Sequence, residues 1–136
     1  MTYLEDYLEA VGVNAGPPTR ELLDALVRGH IATFPFSSAG VRLGDQLPLG
    51  LDAVYERIVV RRRGGYCFEQ NLLMFEMLTQ LGFNPRMYLG RVLTSGNPHP
   101  PLTHRVSVVA LDGIDHIVDV GFGPHGPTAA VPFDGA

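Results

Sequence analysis

The sequence predicts an α+β chain, a helical half followed by antiparallel strands, on three observations. Apolar residues recur at helical spacing through residues 1–83, and from Asn84 the period changes to the alternation of a strand. Asp112-Gly113, a dipeptide typical of a two-residue hairpin, then joins two alternating runs. The 136 residues divide accordingly into a helical domain, 1–83, and a β domain, 84–136, enough for one core or two small modules sharing it.

In order, Leu4, Tyr7, Leu8 and Val11 make a short amphipathic helix over Tyr3 to Val11 that stops at Gly12. Pro17-Pro18-Thr19 supplies a turn and an N-cap, and Leu22, Leu23, Leu26 and Val27 a second helix with Glu21 in its first turn. Phe34-Pro35-Phe36 must be extended, because the residue before proline is pushed out of the α region. A Gly/Pro-punctuated loop, Gly40 to Gly50, leads to a third helix over Leu51 to Val60. The fourth starts around Tyr66 and ends at Gly82, with Leu72, Phe75, Leu78 and Leu81 on one side and Met74 and Met77 widening its apolar face. Strands are predicted over Arg86 to Leu93, Leu102 to Leu111 and Ile114 to Gly121, with a fourth over Thr128 to Phe133.

Composition narrows the function classes. A net charge of −4 leaves the one basic run, Arg61-Arg62-Arg63, without a wider positive field, which argues against nucleic-acid binding. No apolar stretch approaches the ~20 residues of a bilayer span. The N-terminal MTYLEDYLEA has neither a charged n-region nor an apolar h-region, so a cytoplasmic protein is expected. The single cysteine, Cys67, excludes an internal disulfide, and the five histidines lack metal-binding spacing, so no metal is expected.

Cys67 stands behind Gly64-Gly65 and ahead of a long helical pattern. A helix start presents unpaired N–H groups and about half a positive charge, which favour a thiolate, and Arg63 lies close in sequence. The two glycines let the backbone turn tightly and are expected to leave space beside the sulfur for a substrate. A buried, inert thiol is the competing reading, since free cysteine is among the most buried residue types. A nucleophilic thiolate needs a base, and the base an orienting acid. If Asp112-Gly113 are the turn residues, His104 falls opposite Gly121, and Asp119 becomes its diagonal neighbour at ~7–8 Å between backbones, within side-chain reach. A loop one residue longer would turn Asp119 to the other face. His116 starts the third strand without an acid to orient it. His30, His99 and His125 read as structural or solvated.

Arg63-Gly64-Gly65-Tyr66-Cys67-Phe68-Glu69 with Asn71, then Thr103-His104-Arg105, then Val118-Asp119-Val120-Gly121-Phe122-Gly123 resemble the arylamine N-acetyltransferases, as do Phe34-Pro35-Phe36 and Gly90-Arg91-Val92 in order and spacing. The resemblance covers most of the chain. It implies a Cys67-His104-Asp119 triad on a cysteine-protease/transglutaminase-like arrangement, a helical bundle supplying the cysteine and β-barrel strands the other two. It further implies acetyl-CoA as acyl-donor substrate, an arylamine or hydrazine as acceptor, and a ping-pong cycle through a cysteine thioester. Phe36, Val92 and Phe122 match positions of the acceptor pocket, with burial in an ordinary core as the alternative. Thr103, Gly121 and Gly123 match positions implied to lie along CoA. An amide synthase fed by a carrier-bound acyl chain, a cysteine hydrolase and a non-catalytic interaction module remain as rival readings.

The sequence departs from the family's pattern twice. Ser37-Ser38 replace the Glu-Asn that resemblance leads one to expect, so Arg63 loses its acidic partner, a role open to Glu69. The resemblance also leads one to expect the rest of a barrel and a third domain, whereas this sequence stops at Ala136, so the barrel is expected to be incomplete, with open strand edges that invite self-association.

Overall fold

The computed structural model describes residues 2–37, 49–93, 96–123 and 126–133; most of the Gly40–Gly50 loop and His125 lie outside them. Helix α1, Tyr3–Val11, opens on a reciprocal cap in which Thr2 Oγ1 accepts from Glu5 N at 3.2 Å and Glu5 Oε2 from Thr2 N at 2.8 Å. It closes at Gly12, in the left-handed region at φ 72°. Helix α2, Arg20–Thr33, is capped by Thr19, and Phe34 ends it in extended geometry before Pro35. Helix α3, Leu51–Tyr55, continues as a π-helical segment over Glu56–Val60, where Arg61 N–H reaches back to Glu56 O. The periodicity predicted a single helix there, and nothing in it marks the wider turn.

Helix α4, Cys67–Gln80, begins one residue after the expected start, with Tyr66 as its extended N-cap. Its deepest side chains are Gln70, Leu73, Met74, Met77 and Leu78, whereas Leu72, Phe75 and Leu81 are only half-buried. The face is rotated from the one that hydrophobicity alone selects, because Gln70 and Asn71 are buried with their polar groups hydrogen-bonded.

The strands β1 (Pro85–Arg91), β2 (Leu102–Leu111), β3 (Ile114–Val118) and β4 (Val131–Phe133) form one antiparallel sheet in that order, open rather than closed into a barrel. The β2–β3 register runs from Leu111↔Ile114 to Ser107↔Val118, as the Asp112-Gly113 turn requires. Four ends differ from expectation, β1 opening one residue early at Pro85. β3 stops at Val118 instead of Gly121 because the next backbone donors are claimed elsewhere, Val120 N by Asn71 Oδ1 and Gly121 N by Asp119 Oδ1, each at 3.0 Å. β4 begins at Val131 because Ala130 is tied to α2, its N–H donating to Asp24 Oδ1 at 2.9 Å and its carbonyl accepting from Arg20 Nη2 at 2.8 Å. β1 ends at Arg91 because of a bulge: Gly90 pairs with His104 and Arg91 with Leu102, leaving Thr103 unpaired.

One hydrophobic cluster joins the halves. Tyr7, Leu26, Ile58 and Met77 from the helices share it with Val109, Val118 and Val120 of the sheet and its margin. This common core presses α4 against β2 and so brings the two chemical halves of the molecule together.

Candidate active site

Cys67 is the first residue of α4, half-buried, and its Sγ lies 3.6 Å from the carbonyl of the bulged Thr103. The bulge turns that carbonyl toward the sulfur, a local irregularity that alternation does not reveal. Glu69 closes the helix start, Oε1 accepting from Tyr66 N at 3.4 Å. Its other oxygen pairs with Arg57 Nε, so Arg57 occupies the acid that was open to Arg63; the Arg63 residue is exposed, and its backbone N–H donates to Arg57 O at 3.0 Å.

The expectation that Gly64 and Gly65 leave space beside the sulfur is not met, since both are buried against the Phe34-Pro35-Phe36 segment. Gly64 has φ +73°, and a Cβ there would lie 2.5 Å from Pro35 O. Gly65 pairs in parallel with Phe36, with Ser37 N donating to Gly65 O at 2.8 Å and Gly65 N to Pro35 O at 3.3 Å. At Gly65 a Cβ would meet Glu69 Cβ and Ile58 Cδ1, each at 3.1 Å, whereas Gly64 serves contact between two backbones. Gly121 does the same at the end of β3: a Cβ would stand 2.7 Å from Cys67 Cα and 3.0 Å from Asn71 Nδ2.

His104 and Asp119 meet as the hairpin register anticipates, with His104 Nε2 at 2.6 Å from Asp119 Oδ2. Their side chains are 11% and 8% exposed, dry enough for this bond to matter. Asp119 Oδ1 accepts from Asn71 Nδ2 and from Gly121 N, each at 3.0 Å. Burial pushes the Asp119 carboxyl up, but the hydrogen bonds from His104, Asn71 and Gly121 outweigh it and hold the group below its ordinary value. His104 is raised to about 9, first by its bond to Asp119 and then by hydrogen bonding with Cys67, against an opposing effect of burial. With Nε2 committed to Asp119, Nδ1 is the ring atom left for the sulfur.

Asn71 also donates to Arg105 O at 2.6 Å, so one amide staples α4 to β2, to Asp119 and to Val120. In the sequence Asn71 stands in the cysteine motif with no evident role of its own. Its signal is its spacing, one helical turn beyond Cys67 and hence on the same face.

The Phe122 ring stands edge-on to His104, centroids 5.3 Å apart at 89°. Phe36 and Phe122 line a cavity of about 270 Å³ with Ile31, Phe34, Asp119 and Gly123. Gly123 has φ +101° and approaches the Phe36 ring. Val92, just past β1, is not among the lining residues. Of the other histidines, His116 is buried on β3 opposite Val109, and His30 is buried between Tyr7 and Gln70. Among the described residues, no group of three or more His, Cys, Asp or Glu side chains is placed to hold a metal ion, and no helix is long and apolar enough to cross a membrane.

A family model described as N-acetyltransferase matches residues 19–136. The arylamine N-acetyltransferase of Escherichia coli is 44% identical over 112 residues, which cover 82% of this chain and 40% of that protein. This chain belongs to the arylamine N-acetyltransferase family. The family's enzyme from Mycobacterium tuberculosis is 40% identical over 121 residues, 85% of this chain and 43% of its own length. Among solved structures, the enzyme of Salmonella typhimurium superposes with a TM-score of 0.94 at 37% identity, covering 98% of this chain and 50% of that one. The Mycobacterium marinum enzyme in complex with CoA gives 0.88 at 35% identity, with 96% and 51% covered. The chain spans less than half the length of these curated relatives and about half that of the solved structures.

Proposed function

We propose that this chain carries the acyl-transfer centre of an acetyl-CoA-dependent arylamine N-acetyltransferase. Cys67 Sγ passes its proton to His104 Nδ1 and attacks the acetyl carbonyl of acetyl-CoA. The tetrahedral intermediate collapses, the CoA sulfur leaves with the proton returned by His104, and the acetyl group stays on Sγ as a thioester. An arylamine or hydrazine nitrogen then attacks that carbonyl, His104 accepts its proton, and Sγ departs, leaving the N-acetylated amine. Asp119 keeps the imidazole oriented and stabilises the imidazolium through both half-reactions.

The observation that carries this reading is the 2.6 Å bond from His104 Nε2 to Asp119, made beside a cysteine at a helix start. The apolar walls of Phe36 and Phe122 suit a flat arene, whose burial gains ~25 cal/mol per Å2. We assign CoA to Thr103 at the sulfur and to Gly123, which shares the cavity lining with Phe36 and Phe122, with Val92 near the acceptor. Gly121 supports the site through its packing on Cys67.

The test is intact mass after mixing with acetyl-CoA. The expected result is a gain of one acetyl group, absent in Cys67→Ala and discharged by an added arylamine as its N-acetyl product. No adduct from acetyl-CoA overturns the reading, and an adduct formed only from a carrier-bound thioester redirects it to an amide synthase.

A further inference from the structure

A chain of buried side-chain hydrogen bonds runs from α1 to the cysteine loop without touching the reacting atoms. Tyr7 on α1, His30 on α2 and Gln70 in the first turn of α4 are all fully buried. The Tyr7 hydroxyl is 2.8 Å from His30 Nδ1, and His30 Nε2 is 2.6 Å from Gln70 Oε1. Gln70 Nε2 donates to Pro35 O at 2.9 Å and to Gly65 O at 3.4 Å. Those carbonyls belong to the two segments joined at the Phe36–Gly65 bridge. One segment carries Phe36 to the cavity, and the other leads through Tyr66 into Cys67.

Each bond fixes the polarity of the next. Carbonyls only accept, so the Gln70 amide must turn its NH2 toward Pro35 and Gly65 and its oxygen toward His30. That oxygen only accepts, so His30 must carry its hydrogen on Nε2. Burial, partly offset by the Gln70 bond, holds His30 down to about 4, so the ring is neutral and Nδ1 accepts from the Tyr7 hydroxyl. The opposite tautomer would turn the amide and set its oxygen against Pro35 O and Gly65 O in a dry interior, leaving that oxygen without a donor and the two carbonyls with only their backbone donors, Gly65 N and Ser37 N.

We propose that His30 is a positioning residue for the catalytic cysteine: held as the neutral Nε2–H tautomer between Tyr7 and Gln70, it keeps the Gln70 amide in the one orientation that ties the Cys67 loop to the Phe36 segment. The inference rests on the proposed function for the task of Cys67, but its test uses no acetyl-CoA. Retention of this tautomer and its effect on the thiol, with no acetyl uptake, would sink the proposed function alone.

Long-range proton–nitrogen correlation on the wild-type protein reads the tautomer directly, and a neutral ring with Nε2–H and an accepting Nδ1 is expected throughout the neutral range. Iodoacetamide then reads the position of the sulfur. Tyr7→Phe and Gln70→Met are expected to slow alkylation of Cys67 by about tenfold, since small displacements of a reacting group carry large rate costs. Val27→Ala removes volume from the same core without touching the hydrogen-bond chain and should stay within about twofold of wild type. An Nδ1–H or imidazolium signature near neutral pH overturns the proposal, and so do Tyr7→Phe and Gln70→Met rates equal to that of Val27→Ala. If Gln70→Met fails to fold, the wild-type spectrum and Tyr7→Phe decide.

Discussion

Asp119→Asn changes one atom and should remove the base. The carboxylate accepts from two donors at Oδ1, Asn71 Nδ2 and Gly121 N, and from His104 Nε2 at Oδ2. An asparagine has a single acceptor oxygen, and the two donors at the Oδ1 position claim it. Its NH2 then faces His104 Nε2, which must accept, so the ring hydrogen moves to Nδ1, the atom that has to take the thiol proton. The Asp-to-Asn change in a serine triad lowers turnover by about 10⁴ for this reason, and a loss of about 10³ to 10⁴ in the rate of Cys67 acetylation is expected here. The same substitution removes the first cause of the elevated His104 value. A rise from 6.5 to about 9 corresponds to about 3 kcal/mol in a site this buried. Because the folded value lies above the unfolded one, this stabilisation is complete below pH 6.5 and drains away as pH rises through about 9. The stability gap between wild type and Asp119→Asn should therefore be widest between pH 3.8 and 6.5, closing in stronger acid as Asp119 protonates and again above 9. Proton NMR titration of His104, urea denaturation across pH and stopped acetylation time courses measure the three effects. A His104 midpoint unchanged in the variant, or acetylation at the wild-type rate, would refute the reasoning.

Gly64→Ala places a Cβ 2.5 Å from Pro35 O at φ +73°, and should cost about 1–3 kcal/mol in chemical denaturation. Gly16→Ala, where a Cβ meets nothing within 4 Å, serves as the control and should change stability by no more than about 0.5 kcal/mol. Acid should act through His30, which is neutral in the fold and held down to about 4: its contribution is intact above pH 6.5 and lost as pH falls through 4, in total about 3 kcal/mol. Below pH 6.5 the His104 contribution is constant, and the losses of Glu5 and Asp119, both held below their ordinary values, occur alike in the variant, so the difference in slope isolates His30. Denaturation between pH 7 and 4 should show this decline in wild type and a flatter curve in His30→Leu; equal slopes would contradict it.

What the sequence determined by itself was whatever a few neighbouring residues decide. Thr2 with Glu5 opens α1, Gly12 closes it, Thr19 starts α2, and Pro35 ends it through Phe34. Asp112-Gly113 selects a two-residue turn, and because strand pairing counts outward from the turn, that local choice brings Asp119 within reach of His104. The place of Cys67 at a helix start was legible on the same terms. Only the tertiary structure decided where backbone donors went once the chain had folded on itself. Asn71 takes Val120 N–H and ends β3 early, Asp24 takes Ala130 N–H and delays β4, and Arg57 rather than Arg63 takes Glu69. The backbone contacts that require Gly64 and Gly121, and the bulge that turns the Thr103 carbonyl to the sulfur, belong to the same class. These contacts join residues 12 to 106 positions apart, and each depends on which donors and acceptors the surrounding packing leaves unsatisfied, a quantity that no local pattern of hydrophobicity or turn propensity contains.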